Sequence, residues 1–221
     1  IESGSRAWGW ESEDSDYDIR GIYIQDYLKV TDIKTQIDRK IGNKDICLWD
    51  LRKFLQLMIN SNPSCWEWLS SDIIYLEHPI RKKLKEVFEK CFSSYALKKH
   101  YVSMAKQNFE KYINEIGDKA NLKKYVYVLR SIACVEYIEA NLTPPPKNYK
   151  KVIDYLPKNV KIFFEKIVKD KIKSESLEGP RNNEAEQYVV SFFDKEFKKD
   201  KSKFDIEIIN KLFKDIVNAI N

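Results

Sequence analysis

The chain has 221 residues, 43% of them hydrophobic and 13% aromatic, with a formal net charge of +5. That composition can bury a core and excludes intrinsic disorder as the main state. The longest apolar runs, such as Ile73-Ile74-Tyr75-Leu76, fall far short of the ~18 residues a membrane span needs, so no membrane partner is expected. The chain opens on Ile1-Glu2-Ser3-Gly4 without an initiator Met, as if upstream residues were missing. Its four cysteines, Cys47, Cys65, Cys91 and Cys134, are widely spaced. That spacing fits neither a zinc site nor a disulfide framework and points to a reducing cytoplasm.

The charge is unevenly divided. Residues 1–80 carry a net −5 and residues 81–221 a net +10. A metal-binding part beside an anion-binding part would produce this split. So would a Lys-rich sequence with solvated helical faces.

In chain order, Ile19-Arg20-Gly21-Ile22-Tyr23-Ile24 reads as a short strand, β-branched and aromatic after an Asp/Ser-rich turn. A further short strand is expected near Lys34–Asp38, and another over Asp45–Leu48. Leu51, Phe54, Leu55 and Met58 fall at i, i+3, i+4 and i+7 and predict an amphipathic helix opening near Asp50. Asn62-Pro63 closes it, because the residue before proline leaves the α region. A short helix with Trp66, Trp68 and Leu69 follows. From His78-Pro79 onward the pattern is helical, over about 80–92, 94–116, 119–141, 148–155, 158–173, 182–197 and 205–219. Breaks are expected at Gly117, Pro144-Pro145-Pro146 and Glu178-Gly179-Pro180. The fold class is therefore α+β. Residues 1–79 are read as a small mixed-sheet domain with helices and residues 80–221 as an all-helical domain.

Two pieces near the N-terminus carry chemistry. In Gly4-Ser5-Arg6-Ala7-Trp8-Gly9 a Gly-Ser turn lets backbone amides and a hydroxyl approach a phosphate without Cβ obstruction. In Ser15-Asp16-Tyr17-Asp18-Ile19 two carboxylates two residues apart share one face if they lie on a strand. Unpaired, they repel and raise each other's pKa. A divalent cation relieves that repulsion, and hard oxygen ligands suit Mg²⁺. The competing reading is a solvated acidic loop. Gly4-Ser5 eleven residues ahead of Asp16, with an apolar strand directly after Asp18, favours the metal-binding one.

That combination resembles the nucleotidyltransferases of the DNA polymerase beta superfamily. Specifically, it resembles the nucleotidyltransferase family associated with RNA repair operons. The residues that carry this are Gly4 to Gly9, Asp14-Ser15-Asp16-Tyr17-Asp18-Ile19-Arg20-Gly21, Trp49-Asp50-Leu51-Arg52-Lys53, and Ser61-Asn62-Pro63 with Glu67-Trp68-Leu69. His100-Tyr101 with Met104-Ala105, Lys123-Lys124-Tyr125 with Arg130, and Pro144-Pro145 extend it through the helical half. The resemblance implies a small mixed sheet and Mg²⁺-dependent transfer of a nucleoside monophosphate from an NTP. Two ions are implied, with Mn²⁺ an alternative, and an RNA end is one candidate acceptor.

The resemblance further implies that Asp16 and Asp18 hold metal and that Gly4, Ser5 and Arg6 meet the nucleotide. Lys123 and Arg130 then hold triphosphate charge. For the third carboxylate Asp45 is preferred to Asp50, because the superfamily places that residue on a strand; Asp50 sits at a helix start, where it complements the dipole. Only Ile1 to Ser3 stand where a first strand is expected. Lys53, Asn62 and Glu67 match the pattern but have structural alternatives, a turn or cap in the case of Asn62. Trp66 and Trp68 are read as core. Two rivals remain: a metal-dependent phosphodiesterase, which has no use for a triphosphate cradle, and a non-catalytic RNA-binding or antitoxin-like module on the same scaffold.

Overall fold

A computed structural model of the protein describes residues 1–27, 34–114, 117, 119–173, 178–200 and 203–218. The chain starts with a one-turn helix, α1 (Gly4–Trp8), followed by strands β1 (Tyr17–Tyr23), β2 (Gln36–Ile41) and β3 (Lys44–Asp50). Gly42 takes a positive φ of 59° in the two-residue turn between β2 and β3, a conformation that glycine adopts without strain. The sheet runs β1-β3-β2, with β1 parallel and β2 antiparallel to β3. On the free side of β1, Glu2 forms an antiparallel bridge with Ile19.

The parallel register sets Asp18 directly opposite Asp45. Asp16 lies one residue outside β1, so only Asp18 of the pair is on the strand. The cause is local. Ser15 N–H bonds to the Ser12 carbonyl, and the Ser12 amide donates back to the Ser15 hydroxyl, closing a turn that releases into the strand only at Tyr17.

Helices α2 (Leu51–Ile59) and α3 (Pro63–Leu69) follow, each opened by a side-chain cap. Asp50 accepts from the Arg52 amide and Asn62 from the Ser64 amide, with Pro63 at the first helical position, where its missing N–H costs nothing. Then come α4 (Ile80–Cys91), α5 (Ser94–Tyr112), α6 (Leu122–Asn141), α7 (Lys158–Lys171), α8 (Asn183–Val190) and α9 (Ile206–Asn218). The helical half also contains a two-stranded sheet of β4 (Lys119–Asn121) and β5 (Glu178–Pro180). Periodicity expects helix from 119, but Asn121 caps α6 by accepting from the Lys124 amide. A Cβ at Gly179 would lie 2.6 Å from Leu122 Cδ2, so glycine allows β5 to lie against the start of α6.

Two cores result. Leu51, Phe54, Leu55 and Met58 of α2 pack with Trp66 and Trp68 of α3, Leu84 and Phe88 of α4, and Ile209, Leu212 and Ile216 of α9. The four α2 side chains are those of the i, i+3, i+4, i+7 pattern, and each buried one is worth about 1.5–3 kcal/mol. The second core joins α5, α6, α7 and α8, and it takes in Trp10 from the N-terminal segment. Each half of the chain thus lends an element to the other: Trp10 in one direction, α4 and α9 in the other. No helix among the described residues is long and apolar enough to cross a membrane.

Candidate active site

The site is built where α1 meets the start of β1. Gly4 has φ +59°, and a Cβ there would lie 1.9 Å from Asp18 Oδ2. Glycine is therefore required at this position for the Asp18 carboxylate as well as for the turn. Ser5 is buried and follows directly. Arg6 donates to the Ser15 carbonyl at 3.0 Å and stacks over Tyr17, its guanidinium 4.0 Å from the ring centroid. Arg6 thereby ties the Gly-Ser turn to the Asp-containing turn.

The three predicted carboxylates are each answered by a cation of the same sheet. Arg20 Nη2 is 2.9 Å from both Asp18 Oδ1 and Asp45 Oδ2. Lys40 Nζ is 3.6 Å from Asp16 Oδ2 at the solvent edge. Asp18 also sits beside Glu2, a completely buried carboxylate whose Oε1 accepts the Asp18 amide at 2.7 Å and whose Oε2 accepts the Tyr75 hydroxyl. Burial pushes the Asp18 pKa up, Arg20 and Lys123 oppose this, and Asp45 and Glu2 add to it. Lys123 belongs to α6, so the helical half contributes to the field at Asp18.

Asp50 has different surroundings. It is wholly buried and accepts from the Arg52 amide at 2.9 Å, Gln25 Nε2 at 2.8 Å and the Tyr27 hydroxyl at 3.2 Å. These bonds occupy the carboxylate in capping α2 and fixing the segment after β1, and it is not beside Asp18.

Arg130 lies in the interior. Its Nη1 meets Glu67 Oε1 at 2.8 Å, its Nη2 donates to the Lys147 carbonyl at 3.2 Å, and its guanidinium stands 4.5 Å from the Trp8 ring. Glu67 also accepts from Trp8 Nε1 at 3.2 Å and from the Tyr101 hydroxyl at 3.3 Å. Lys53, a further basic residue of the resemblance near the sheet, donates to Gln36 and sits over Trp49. Trp66 and Trp68 are core residues, the first donating to the Pro145 carbonyl and the second packed on Trp49 with centroids 4.0 Å apart.

Sequence reasoning assigned no role to four residues that shape the site: Glu2, Arg20, Lys147 and Lys171. Lys171, at the end of α7, is fully buried. Its Nζ lies 3.1 Å from the Trp10 carbonyl, 3.4 Å from Ser15 Oγ and 3.5 Å from Ser5 Oγ. Lys147 Nζ donates to the Glu2 carbonyl at 2.8 Å, and burial pulls its pKa down to about 8. The signal for Arg20 was present in the sequence, since i, i+2 spacing on a strand sets it on the same face as Asp18. Lys147 and Lys171 left no such signal.

A family model described as RlaP, RNA repair pathway DNA polymerase beta family, matches residues 1–215. The chain belongs to that family. RlaP membership suggests a DNA polymerase beta-like nucleotidyltransferase. An uncharacterized protein of Bacillus subtilis (strain 168), YcgL, is 37% identical over 185 residues, covering 80% of this chain and 70% of that protein. No solved structure matches the chain.

Nucleotidyltransferases generally use divalent metal ions, for which carboxylate oxygens are suitable ligands. Among the described residues no group of three or more His, Cys, Asp or Glu side chains is gathered for a metal ion. The donor chemistry of Asp18 and Asp45 nevertheless fits a hard cation, and two of their oxygens already reach a single positive nitrogen at 2.9 Å.

Proposed function

We propose that the protein transfers a nucleoside monophosphate from an NTP to an acceptor hydroxyl, with RNA ends as candidate acceptors. The observation that supports this reading is the in-register pairing of Asp18 with Asp45 beside a Gly4-Ser5 turn whose glycine is required by the Asp18 carboxylate. Asp16, Asp18 and Asp45 would hold the metal, Mg²⁺ or Mn²⁺. When bound, such ions lower the pKa of an acceptor hydroxyl and offset the charge of the triphosphate.

In this reading the chain's own residues bind and orient. The Ser5 hydroxyl and the Gly4 turn approach the triphosphate, Arg6 fixes that turn against Ser15, and Lys123 supplies positive charge from α6. Arg130 acts on the nucleotide indirectly, by holding Trp8 and so the turn, because its guanidinium is committed to Glu67. Residues 1–79 then form the catalytic portion and 80–221 the helical portion that supplies the cations. No side chain is asked to act as general base, since positioning for in-line displacement is the protein's main contribution. The four free cysteines accord with a cytoplasmic protein.

A non-catalytic RNA-binding module is the second reading, and the engagement of all three carboxylates by Arg20 and Lys40 is what favours it. Incubation with each labelled NTP, Mg²⁺ and a mixture of RNAs and proteins separates the two. Label transfer is expected from the wild type and Asp50→Asn but not from Asp45→Asn, while Asp50→Asn loses stability. Absence of transfer from the wild type with every NTP would overturn the enzymatic reading. Transfer by Asp45→Asn at the wild-type rate would remove Asp45 from the site.

A further inference from the structure

We propose that Arg20 is a built-in counter-cation of the Asp18–Asp45 pair, holding the site together without metal and competing with a divalent ion for the same carboxylate oxygens. The proposal rests on the metal-dependent reading above and concerns what that reading leaves open, namely what occupies the carboxylates before loading. The guanidinium is anchored independently of the acids. Nη1 donates to the Asp45 carbonyl at 2.7 Å and to the Ile19 carbonyl at 3.0 Å. With that edge fixed on backbone, the other nitrogen is delivered to a point 2.9 Å from one oxygen of each carboxylate.

Without Arg20, three carboxylates would crowd this end of the sheet. Asp18 and Asp45 are neighbours in register, and the buried Glu2 accepts the Asp18 amide. Lys123 also acts on Asp18. Arg20 thus stabilises the metal-free fold. The same charge opposes a divalent ion seated between the two acids, since like charges within ~4 Å repel by several kcal/mol at an effective dielectric of about 20. An NTP brings further negative charge and shifts that balance, so the site is expected to load metal together with nucleotide and to hold it weakly alone.

The test is Mn²⁺ affinity, read by the loss of the free-ion electron paramagnetic resonance signal, with thermal melts alongside. Without nucleotide, Arg20→Gln should bind Mn²⁺ roughly tenfold tighter than wild type, or more, a conservative fraction of the repulsion removed. Its melting temperature should be lower without metal and should rise further on adding Mn²⁺. Arg20→Lys keeps the charge but not the two-point backbone anchor. It should fall between the two, and it carries the test if Arg20→Gln does not fold. A purely structural arginine would lower the melting temperature and leave Mn²⁺ affinity unchanged or weaker, and that result overturns the proposal. Wild type that binds no Mn²⁺ even with a non-hydrolysable NTP overturns the metal-dependent reading and this proposal with it. Wild type that binds Mn²⁺ while neither variant binds it more tightly overturns this proposal alone.

Discussion

Replacing Arg130 with methionine tests whether this residue belongs to the fold or to the ligand. Arg130 and Glu67 are 3% and 6% exposed, and their charged atoms meet at 2.8 Å. Removing the guanidinium leaves the Glu67 carboxylate in the interior with two longer neutral donors, Trp8 Nε1 at 3.2 Å and the Tyr101 hydroxyl at 3.3 Å. An uncompensated buried charge of this kind costs about 3–5 kcal/mol, roughly a fifth or more of the stability of a typical domain. The cation over Trp8 and the bond to the Lys147 carbonyl are lost with it. Glu67→Gln should be damaging for the converse reason. The double variant removes both charges, so its cost should fall short of the two single costs together by about 1–3 kcal/mol. Urea unfolding of wild type, both singles and the double gives all four numbers, and NTP affinity measured well below the transition gives the ligand side. Lys123→Ala should show the opposite signature, an unchanged midpoint with weaker NTP binding. An Arg130→Met midpoint within about 1 kcal/mol of wild type, or single effects that simply add, would refute the buried-pair argument.

Lys147 predicts a pH dependence. Its pKa of about 8 in the folded chain lies below the ordinary 10.5, so the unfolded chain holds the proton more strongly. The resulting penalty is fully present below pH 8 and is relieved as pH rises toward 10.5, a window in which stability should increase. At about 1.4 kcal/mol per pH unit the penalty is about 3 kcal/mol, so Lys147→Met should gain roughly 2 kcal/mol at pH 7 after losing its bond to the Glu2 carbonyl. Denaturant melts of the two proteins should converge by pH 10, and a constant difference would show that the lysine does not titrate there. Gly4→Ala should cost about 1–2 kcal/mol through the positive φ alone. It should weaken Mn²⁺ binding as well, because the new methyl displaces Asp18; metal affinity equal to wild type in a folded variant would contradict the 1.9 Å approach.

Local rules carried the sequence reading as far as they reach. The α2 stripe, the Asn62-Pro63 start of α3 and the strand holding Asp45 follow from periodicity, capping and proline geometry, each set by residues within about one turn of each other. Asp50 was legible as a helix-start residue, while Gln25 and Tyr27, which fill its remaining lone pairs, arrive from another strand end by tertiary packing. The strand was expected from Ile19 and opens at Tyr17, so Asp18 lies on it while Asp16 stays in the turn that the Ser12–Ser15 hydrogen bonds hold. Arg130 was visible as a cation on a helix. Its partner Glu67 lies 63 residues away, and no spacing rule couples the two.

The division of charge can now be argued from contacts. Three cations of the basic half are buried against groups of the acidic half: Arg130 on Glu67, Lys147 on the Glu2 carbonyl, and Lys171 on Trp10, Ser15 and Ser5. They come from α6, the segment before α7, and the end of α7, and they converge on the two turns that frame Asp18. Part of the +10 therefore serves to fasten the helical half to the turns that frame Asp18, where salt screens poorly because water is excluded. Under the reading that RNA is a partner, the remaining surface lysines would carry that affinity, and it should fall steeply with salt. The same rise in ionic strength should leave the Arg130–Glu67 contact intact, so salt that strips RNA from the protein should leave the geometry around Asp18 unchanged.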